Sequence, residues 1–539
     1  MTMKFKILAA DKLAEEGLDF ISSQPDTELT NKPGITVDEL AKIAGDYHGI
    51  IVRSGVDVTA EVMANPGILK AVARAGVGVD NIDLNAATEK GILVLNSAQA
   101  STTSTAEHAF ALMISLARNI GPAYQAMALG RWDRAKFMGW QLSGKTLGVI
   151  GFGRIGQTVA LQAIAFGMNV IAYDPFFNKA TALDGKVKIY SDFKELLPHA
   201  DVLTFHVPLT DQTKGMLGEE TFGLCREGVK VVNAARGGIV CESALLKAIE
   251  SGQCGGAALD VYPSEPLAEG SALRNHPKIL TTPHLGASTK EAQTAVSVGA
   301  AEALLTYLRG EGLQGAVNAG GIKLDLDPTQ SCLVDLAERM AMIISSMVTQ
   351  GFDQINIELH GSMLIPARAT IERSCLIGLL DSHMDASLNI VNVKHFAKER
   401  GIVVNTTTSD EETAGGPWIG IEIRSPEKDG QVQTRRITGK VYSDLKPRVT
   451  EINGYHMDIV PHDDMVLIQN DDQPGMIGTV GNAFGDAHLN IAEMAISRRE
   501  HTALMVLCVD QTPSEEQLKS LSGTPGILKA IALKLPRIK

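Results

Sequence analysis

The sequence predicts an α/β chain: two doubly wound units, then a mixed α+β segment, then a small ferredoxin-like unit. Three observations carry this prediction. Strand-like runs alternate with helical stretches up to residue 320, the pattern of parallel sheets covered by helices. A glycine-rich loop, Gly151-Phe152-Gly153-Arg154-Ile155-Gly156, directly follows one such strand and opens a helix. The end of the chain reads strand, helix, strand, strand, helix, strand.

The elements follow in order. Residues 4–10, Gly49–Arg53, Leu69–Arg74 and Leu93–Asn96 read as strands of a first sheet. Ser101–Thr105 offers capping hydroxyls before the amphipathic run 109–118, a helix that bridges into the second unit. Strand-like runs recur at 145–150, 169–173, 201–207, 229–233, 256–261 and 279–281, and a helix from 290 to 309 packs back on the first unit. The stretch Val317–Gly321 reads as a linker, and Pro461–Asp464 as a second break. The closing elements are 465–470, 476–486, 490–498, 503–509, 515–521 and 527–535.

A chain of 539 residues, 45% hydrophobic and 21% charged, can bury several cores. Its net charge of −13 argues against a sequence-independent nucleic-acid binder, which is normally basic. No apolar run has membrane-spanning length, and the start lacks a signal peptide, so no membrane partner and a cytoplasmic location are expected. The six cysteines form no C-x-x-C pair and read as reduced thiols. No metal is expected.

In the glycine loop, Gly151 permits the tight turn, Gly153 lets backbone approach a pyrophosphate, and Gly156 lets helix and strand pack closely. Arg154 and Ile155 begin the helix whose free N–H groups face the phosphates. Asp174, at the end of the next strand, is placed to accept from ribose hydroxyls and to repel a 2′-phosphate, which selects NAD over NADP. Downstream stand an arginine, an acid and a histidine. Oxidising an alcohol removes a hydride from carbon and a proton from oxygen, and His284 suits the proton. Glu265 can orient that imidazole, and Arg236 can grip a carboxylate through two parallel hydrogen bonds. A single loop histidine or arginine is usually structural; the ordered set after a nucleotide loop is what points to catalysis.

Several stretches carry a family resemblance: Ile51–Gly55, Arg74–Asn81, Lys136–Gly139, Asn233–Val240, Ala258–Val261 and His284–Gln293. With them the first 320 residues resemble the D-isomer-specific 2-hydroxyacid dehydrogenase family. The resemblance implies a discontinuous, flavodoxin-like substrate domain (1–100 and 290–318) and a Rossmann-type NAD-binding domain (101–289). It continues through 319–460, similar to the intervening regulatory or assembly domain of long family members, and 464–539, similar to an amino-acid-sensing ACT domain. The implied activity is NAD-dependent oxidation of 3-phospho-D-glycerate to 3-phosphohydroxypyruvate in serine synthesis, by a homotetramer.

The same resemblance implies roles. His284 takes the hydroxyl proton, Glu265 supports the charge and Arg236 binds the carboxylate. Asp260 sits beside the nicotinamide, and Val77, Val207 and Ala234 line the cofactor. Arg53 and Arg74 meet the substrate phosphate or carboxylate. Asp472 and Asn490 contact an L-serine effector. Two positions depart from the family pattern: Val77 stands where some relatives carry threonine, and Cys241 where aspartate is common. Cys241 reads as a small inert thiol. Trp132 and Trp140 flank the basic run Arg131–Lys136, which reads either as a contact near a neighbouring subunit's site or as plain interface packing. Two rivals stay open: a reductase of glyoxylate, hydroxypyruvate or another D-2-hydroxy acid, and an NAD-sensing binding protein. The long C-terminal extension disfavours the first, and the joint presence of Arg236, Glu265 and His284 disfavours the second.

Overall fold

The computed structural model describes residues 4–177, 179–348, 351–384, 387–411, 415–426 and 432–536. The first sheet holds β1 (Phe5–Ala9), β2 (Thr27–Asn31), β3 (Gly49–Val52), β4 (Ala71–Arg74) and β5 (Leu93–Asn96). All are parallel, in the order β2-β1-β3-β4-β5. Ile7, Leu8, Ile50, Ile51 and Val52 are wholly buried, as strands covered on both faces require. Helix Lys290–Leu308 returns to cover one face through Val296, Ala300 and Leu304; Leu40, Val62 and Met63 cover the other. The edge strand β2 has no counterpart in the sequence reading. Its residues Thr27-Glu28-Leu29-Thr30-Asn31 are too polar to announce a strand, and pairing with β1 decides its conformation.

The second sheet holds β6 (Thr146–Ile150), β7 (Asn169–Tyr173), β8 (Thr181–Ala182), β9 (Val187–Tyr190), β10 (Val202–Phe205), β11 (Val229–Asn233), β12 (Cys254–Leu259) and β13 (Ile279–Thr281). Its order is β13-β12-β11-β10-β6-β7-β9-β8, parallel except for the β8–β9 pair. The crossovers diverge between β6 and β10, which opens a crevice at their carboxyl ends. Helix Thr102–Ala117 runs from the first unit onto this sheet and packs beside helix Arg154–Ala165.

The third sheet holds β14 (Gln354–His360), β15 (Val403–Ser409), β16 (Trp418–Pro426), β17 (Val432–Val441), β18 (Pro447–Ile452) and β19 (Tyr455–Ile459), under helices Pro328–Ser346 and Arg368–Leu380. The fourth holds β20 (Asp464–Asp471), β21 (Ile491–Arg499), β22 (Thr502–Val509) and β23 (Ile527–Lys534) in the order β21-β22-β20-β23, all antiparallel. One face of this last sheet packs under its own two helices. The other shares a core with the third unit through Met465, Leu467, Leu504, Val506 and Cys508.

The stretch read as a linker is docked instead. Asn318 accepts from Val94 N at 2.9 Å and donates to Ile92 O at 2.9 Å, and Ala319 is 2% exposed. Backbone groups left open along β5 take partners from this segment, so glycine-rich composition misreads it. Among the described residues no helix is long and apolar enough to cross a membrane.

Candidate active site

The glycine loop lies at the crevice. Gly151 holds φ 91°, and a side chain there would strike His206 O. A side chain on Gly156 would strike Gly151 O, whereas one on Gly153 would meet nothing within 4 Å. The loop is therefore closed where it packs and open where a phosphate would approach the amino end of helix Arg154–Ala165. This geometry fits a dinucleotide. Arg154 is exposed at the helix start, and Ile155 follows it half-buried. Asp174 follows β7 and accepts from Phe152 N at 2.8 Å and Phe176 N at 2.9 Å, so its carboxylate is fixed beside the loop. Val207 packs against Gly151, Ala234 is buried after β11, and Val77 O accepts from Asn96 Nδ2 at 2.7 Å.

Beyond β13 the chain turns at His284, whose φ of 57° lies in the left-handed region. Its Nδ1 is 2.7 Å from Glu265 Oε2, and Glu265 Oε1 accepts from Tyr262 N at 3.0 Å. The carboxylate thus fixes the ring through Nδ1, which leaves Nε2 unused by it. Asp260, read from the sequence as a cofactor contact, is completely enclosed. Its oxygens accept from Thr282 Oγ1 at 2.6 Å, Leu285 N at 2.8 Å and Gly286 N at 3.0 Å. His108 Nε2 lies 3.1 Å away, close enough for an ion pair but off the line of a hydrogen bond. Burial pushes the Asp260 carboxyl up; His108, Thr282 and the loop amides outweigh it and hold it below the usual range. Asp260 therefore holds the turn that carries His284.

His284 and Glu265 line a cleft of about 970 Å³ together with Arg53, Arg74, Asp80 and Asn81. Arg236 adjoins it: Nε donates to Asp80 Oδ2 at 3.0 Å and Nη1 to Ala235 O at 2.7 Å, leaving Nη2 for a carboxylate. Arg53 is anchored by its backbone N on Asp11 Oδ2 at 3.1 Å and by Nη1 on Lys12 O at 3.0 Å. Burial, then the neighbouring Arg236 and Arg53, pull Arg74 down to about 10, and its Nε is buried without a partner. Crowded guanidiniums with an unmet donor suit an anion. Arg154 lines a second cavity of about 530 Å³ with Asn96, Ser97 and Glu302.

Family models match in the same order along the chain. The D-isomer specific 2-hydroxyacid dehydrogenase NAD binding domain matches residues 110–286, the D-3-phosphoglycerate dehydrogenase intervening domain 331–453, and the ACT domain 465–531. The D-3-phosphoglycerate dehydrogenase of Bacillus subtilis is 36% identical over 535 residues, 99% of this chain and 100% of that protein. That of Archaeoglobus fulgidus is 38% identical over 534 residues, 98% and 100% of the two chains. The solved structure of a glyoxylate reductase from Paecilomyes thermophila is similar with TM-score 0.54 and 31% identity, over 59% of this chain and 99% of that one. The chain belongs to the D-3-phosphoglycerate dehydrogenase family. It is an NAD-dependent dehydrogenase of the D-isomer-specific 2-hydroxyacid class.

In the ACT domain the two residues read as effector contacts are engaged separately. Asp472 is clamped by Arg498, with Nε–O distances of 2.8 and 2.9 Å and Nη2–Oδ2 of 2.6 Å. Asn490 Nδ2 donates to Asp510 Oδ2 at 3.0 Å. An ammonium reaching Asp472 has to displace or share Arg498. Cys241 also departs from its sequence reading. It is half-exposed at the start of helix Glu242–Ser251, and the Ser243 hydroxyl, then the Ala244 amide, lower its thiol below the ordinary value. The sequence reading passed over His108, Asp80 and Asp11. Asp80 stands inside the stretch Arg74–Asn81 that carried the resemblance, and its place in that stretch was the available signal.

Proposed function

We propose that this chain oxidises 3-phospho-D-glycerate to 3-phosphohydroxypyruvate with NAD, the entry step of phosphorylated L-serine synthesis, as a cytoplasmic homotetramer under serine feedback. The units 1–100 with 290–318, 101–289, 319–460 and 464–539 divide substrate binding, cofactor binding, assembly and sensing. The carrying observation is the arginine group. Arg53 and Arg74 line one cleft and Arg236 adjoins it through Asp80, together more positive charge than a single carboxylate needs, and Arg74 keeps a buried donor unmet. A substrate with both carboxylate and phosphate satisfies that charge. Arg236 holds the carboxylate; Arg53 and Arg74 take the phosphate. His284 Nε2 removes the C2 hydroxyl proton, and Glu265 stabilises the imidazolium through Nδ1. Bound NAD supplies the hydride acceptor at its nicotinamide C4. Gly151, Gly153 and Gly156 would seat its pyrophosphate, and Asp174 would hold its ribose.

A steady-state panel of D-2-hydroxy acids tests this reading. The expected result is a kcat/KM for 3-phosphoglycerate at least about 100-fold above that for unphosphorylated glycerate, because the buried Arg74 Nε, left without a partner, penalises the smaller acid. Arg74→Ala is expected to raise KM for the phosphorylated acid and to narrow the preference. Equal use of both acids by the wild-type protein would remove phosphate recognition from the reading.

A further inference from the structure

Where the third and fourth units meet, His462, Glu493 and Cys508 each place one ligand atom within 4.8 Å of the other two. The three come from separate segments. Glu493 and Cys508 are direct partners across β21 and β22, and β21 bulges between Ile491 and Glu493. Such a bulge kinks a strand and re-aims the side chain beside it. His462 lies in the connection from β19 to β20. The next residue, Asp463, holds φ 48°, turning the chain sharply, and its carbonyl accepts from Leu535 N at 2.8 Å. Asp463 Oδ2 stands 3.7 Å from His462 Nδ1, adding negative charge beside the group. Cys508 is 1% exposed and its thiol donates to Val460 O at 3.6 Å, whereas Glu493 is exposed.

A thiol, an imidazole and a carboxylate combine soft and borderline donors, the set that suits zinc among the common divalent cations. Zinc bonds of about 2.0–2.3 Å draw ligand atoms to a separation that these three groups already approach, and the exposed Glu493 side chain has room to adjust. We propose that His462, Glu493 and Cys508 bind a zinc-class divalent cation that fastens the ACT domain to the connection leading out of the intervening domain. Water completes the coordination, and the Cys508 thiol proton is released on binding. The sequence shows no ligand motif here because the residues stand 31 and 15 positions apart in the chain (493 − 462 and 508 − 493). The site lies on the face that shares its core with the third unit, so a bound cation stiffens the seam between sensor and scaffold.

Full-length protein stripped with a chelator and titrated with cobalt, then zinc, tests the proposal. The wild-type chain is expected to show a near-ultraviolet thiolate-to-cobalt charge-transfer band that Cys508→Ser abolishes. Equilibrium dialysis is expected to give one more equivalent of bound zinc for wild type than for His462→Gln. Glu493→Gln, on an exposed side chain that leaves the core intact, is expected to weaken that equivalent by about 10-fold or more. Zinc is expected to raise the wild-type Tm and to leave that of Cys508→Ser unchanged. Equal zinc stoichiometry and affinity in wild type, Glu493→Gln and His462→Gln, or a cobalt spectrum without a thiolate band, overturns the site.

Discussion

His284 is held from two sides: Glu265 fixes its ring at 2.7 Å, and Asp260 ties down the two amides that follow it. A left-handed non-glycine residue costs on the order of 1–3 kcal/mol, and the buried hydrogen bonds of Asp260 offset that cost. His284→Ala removes the proton acceptor while leaving the glycine loop untouched. It is expected to lower kcat by about 10²–10⁴ with NAD affinity unchanged, read by fluorescence titration and stopped assays. Glu265→Gln keeps the ring and loses its carboxylate partner, so a smaller loss is expected; a kcat at the wild-type level for His284→Ala would exclude the histidine. Asp174 belongs to the same scale. Asp174→Ala removes both a ribose acceptor and a repulsive charge, and is expected to raise KM for NAD and bring the NADP/NAD ratio of kcat/KM upward by 10-fold or so. A wild-type enzyme that already uses both cofactors equally would refute that role.

At the scale of elements, position on a helix or strand sets the chemistry of otherwise similar side chains. Cys241 sits at the start of helix Glu242–Ser251 with its thiol lowered, whereas burial raises Cys254 and pushes Cys225 up to about 12 and Cys508 up to about 11. Thiolate is the reactive form, so brief alkylation of the native protein near pH 8 is expected to label Cys241 first, at least 10-fold faster than Cys225 or Cys254 in a peptide mass map. Equal labelling would contradict the placement. His206 follows β10 beneath the nucleotide loop, 3.0 Å from Thr204 Oγ1, and burial pushes it down to about 4. Its ordinary value is 6.5, so the unfolded chain binds the proton first as the solution is acidified. The neutral ring thus contributes its full stability above pH 6.5, and that contribution drains away as pH falls toward 4. Calorimetry is expected to show Tm falling between pH 7 and 5, with a shallower fall in His206→Gln; identical slopes would clear His206.

Across the whole molecule, two seams link the ACT domain to the active site. The ACT sheet shares its core with the intervening unit, and that unit docks on the first sheet through Asn389 Nδ2, which donates to Gly91 O at 2.9 Å, and through the buried Val391. A side chain on Gly91 would collide with Asn389, so the contact is close. An effector bound at Asp472 and Asn490 would have to act through these seams, and couplings of this kind are typically about 1–3 kcal/mol. Millimolar L-serine is therefore expected to inhibit the intact enzyme several-fold. A chain ending at Ile322 keeps the Asn318 anchor and the buried Ala319, and is expected to retain dehydrogenase activity and lose the inhibition. Asp472→Ala is expected to weaken inhibition with little change in the uninhibited rate. An intact enzyme indifferent to serine would make the tail an assembly element alone.

The sequence by itself determined what local pattern encodes. The glycine spacing, the strand before it and the acid after it fixed the nucleotide unit, and the six closing elements fixed the ferredoxin-like end, because backbone periodicity and turn chemistry are written in neighbouring residues. Arg236, Glu265 and His284 were legible as an ordered set, and so was the pairing of Glu265 with the His284 ring. Only the tertiary structure decided that Asp260 is enclosed and holds the His284 turn, that Asp80 meets Arg236 across 156 residues, that Arg498 occupies Asp472, and that Val317–Gly321 docks on β5. Each depends on which chain segments the sheets bring side by side. Burial and hydrogen-bond satisfaction then choose partners among residues far apart in the chain, a choice that no short window of sequence contains.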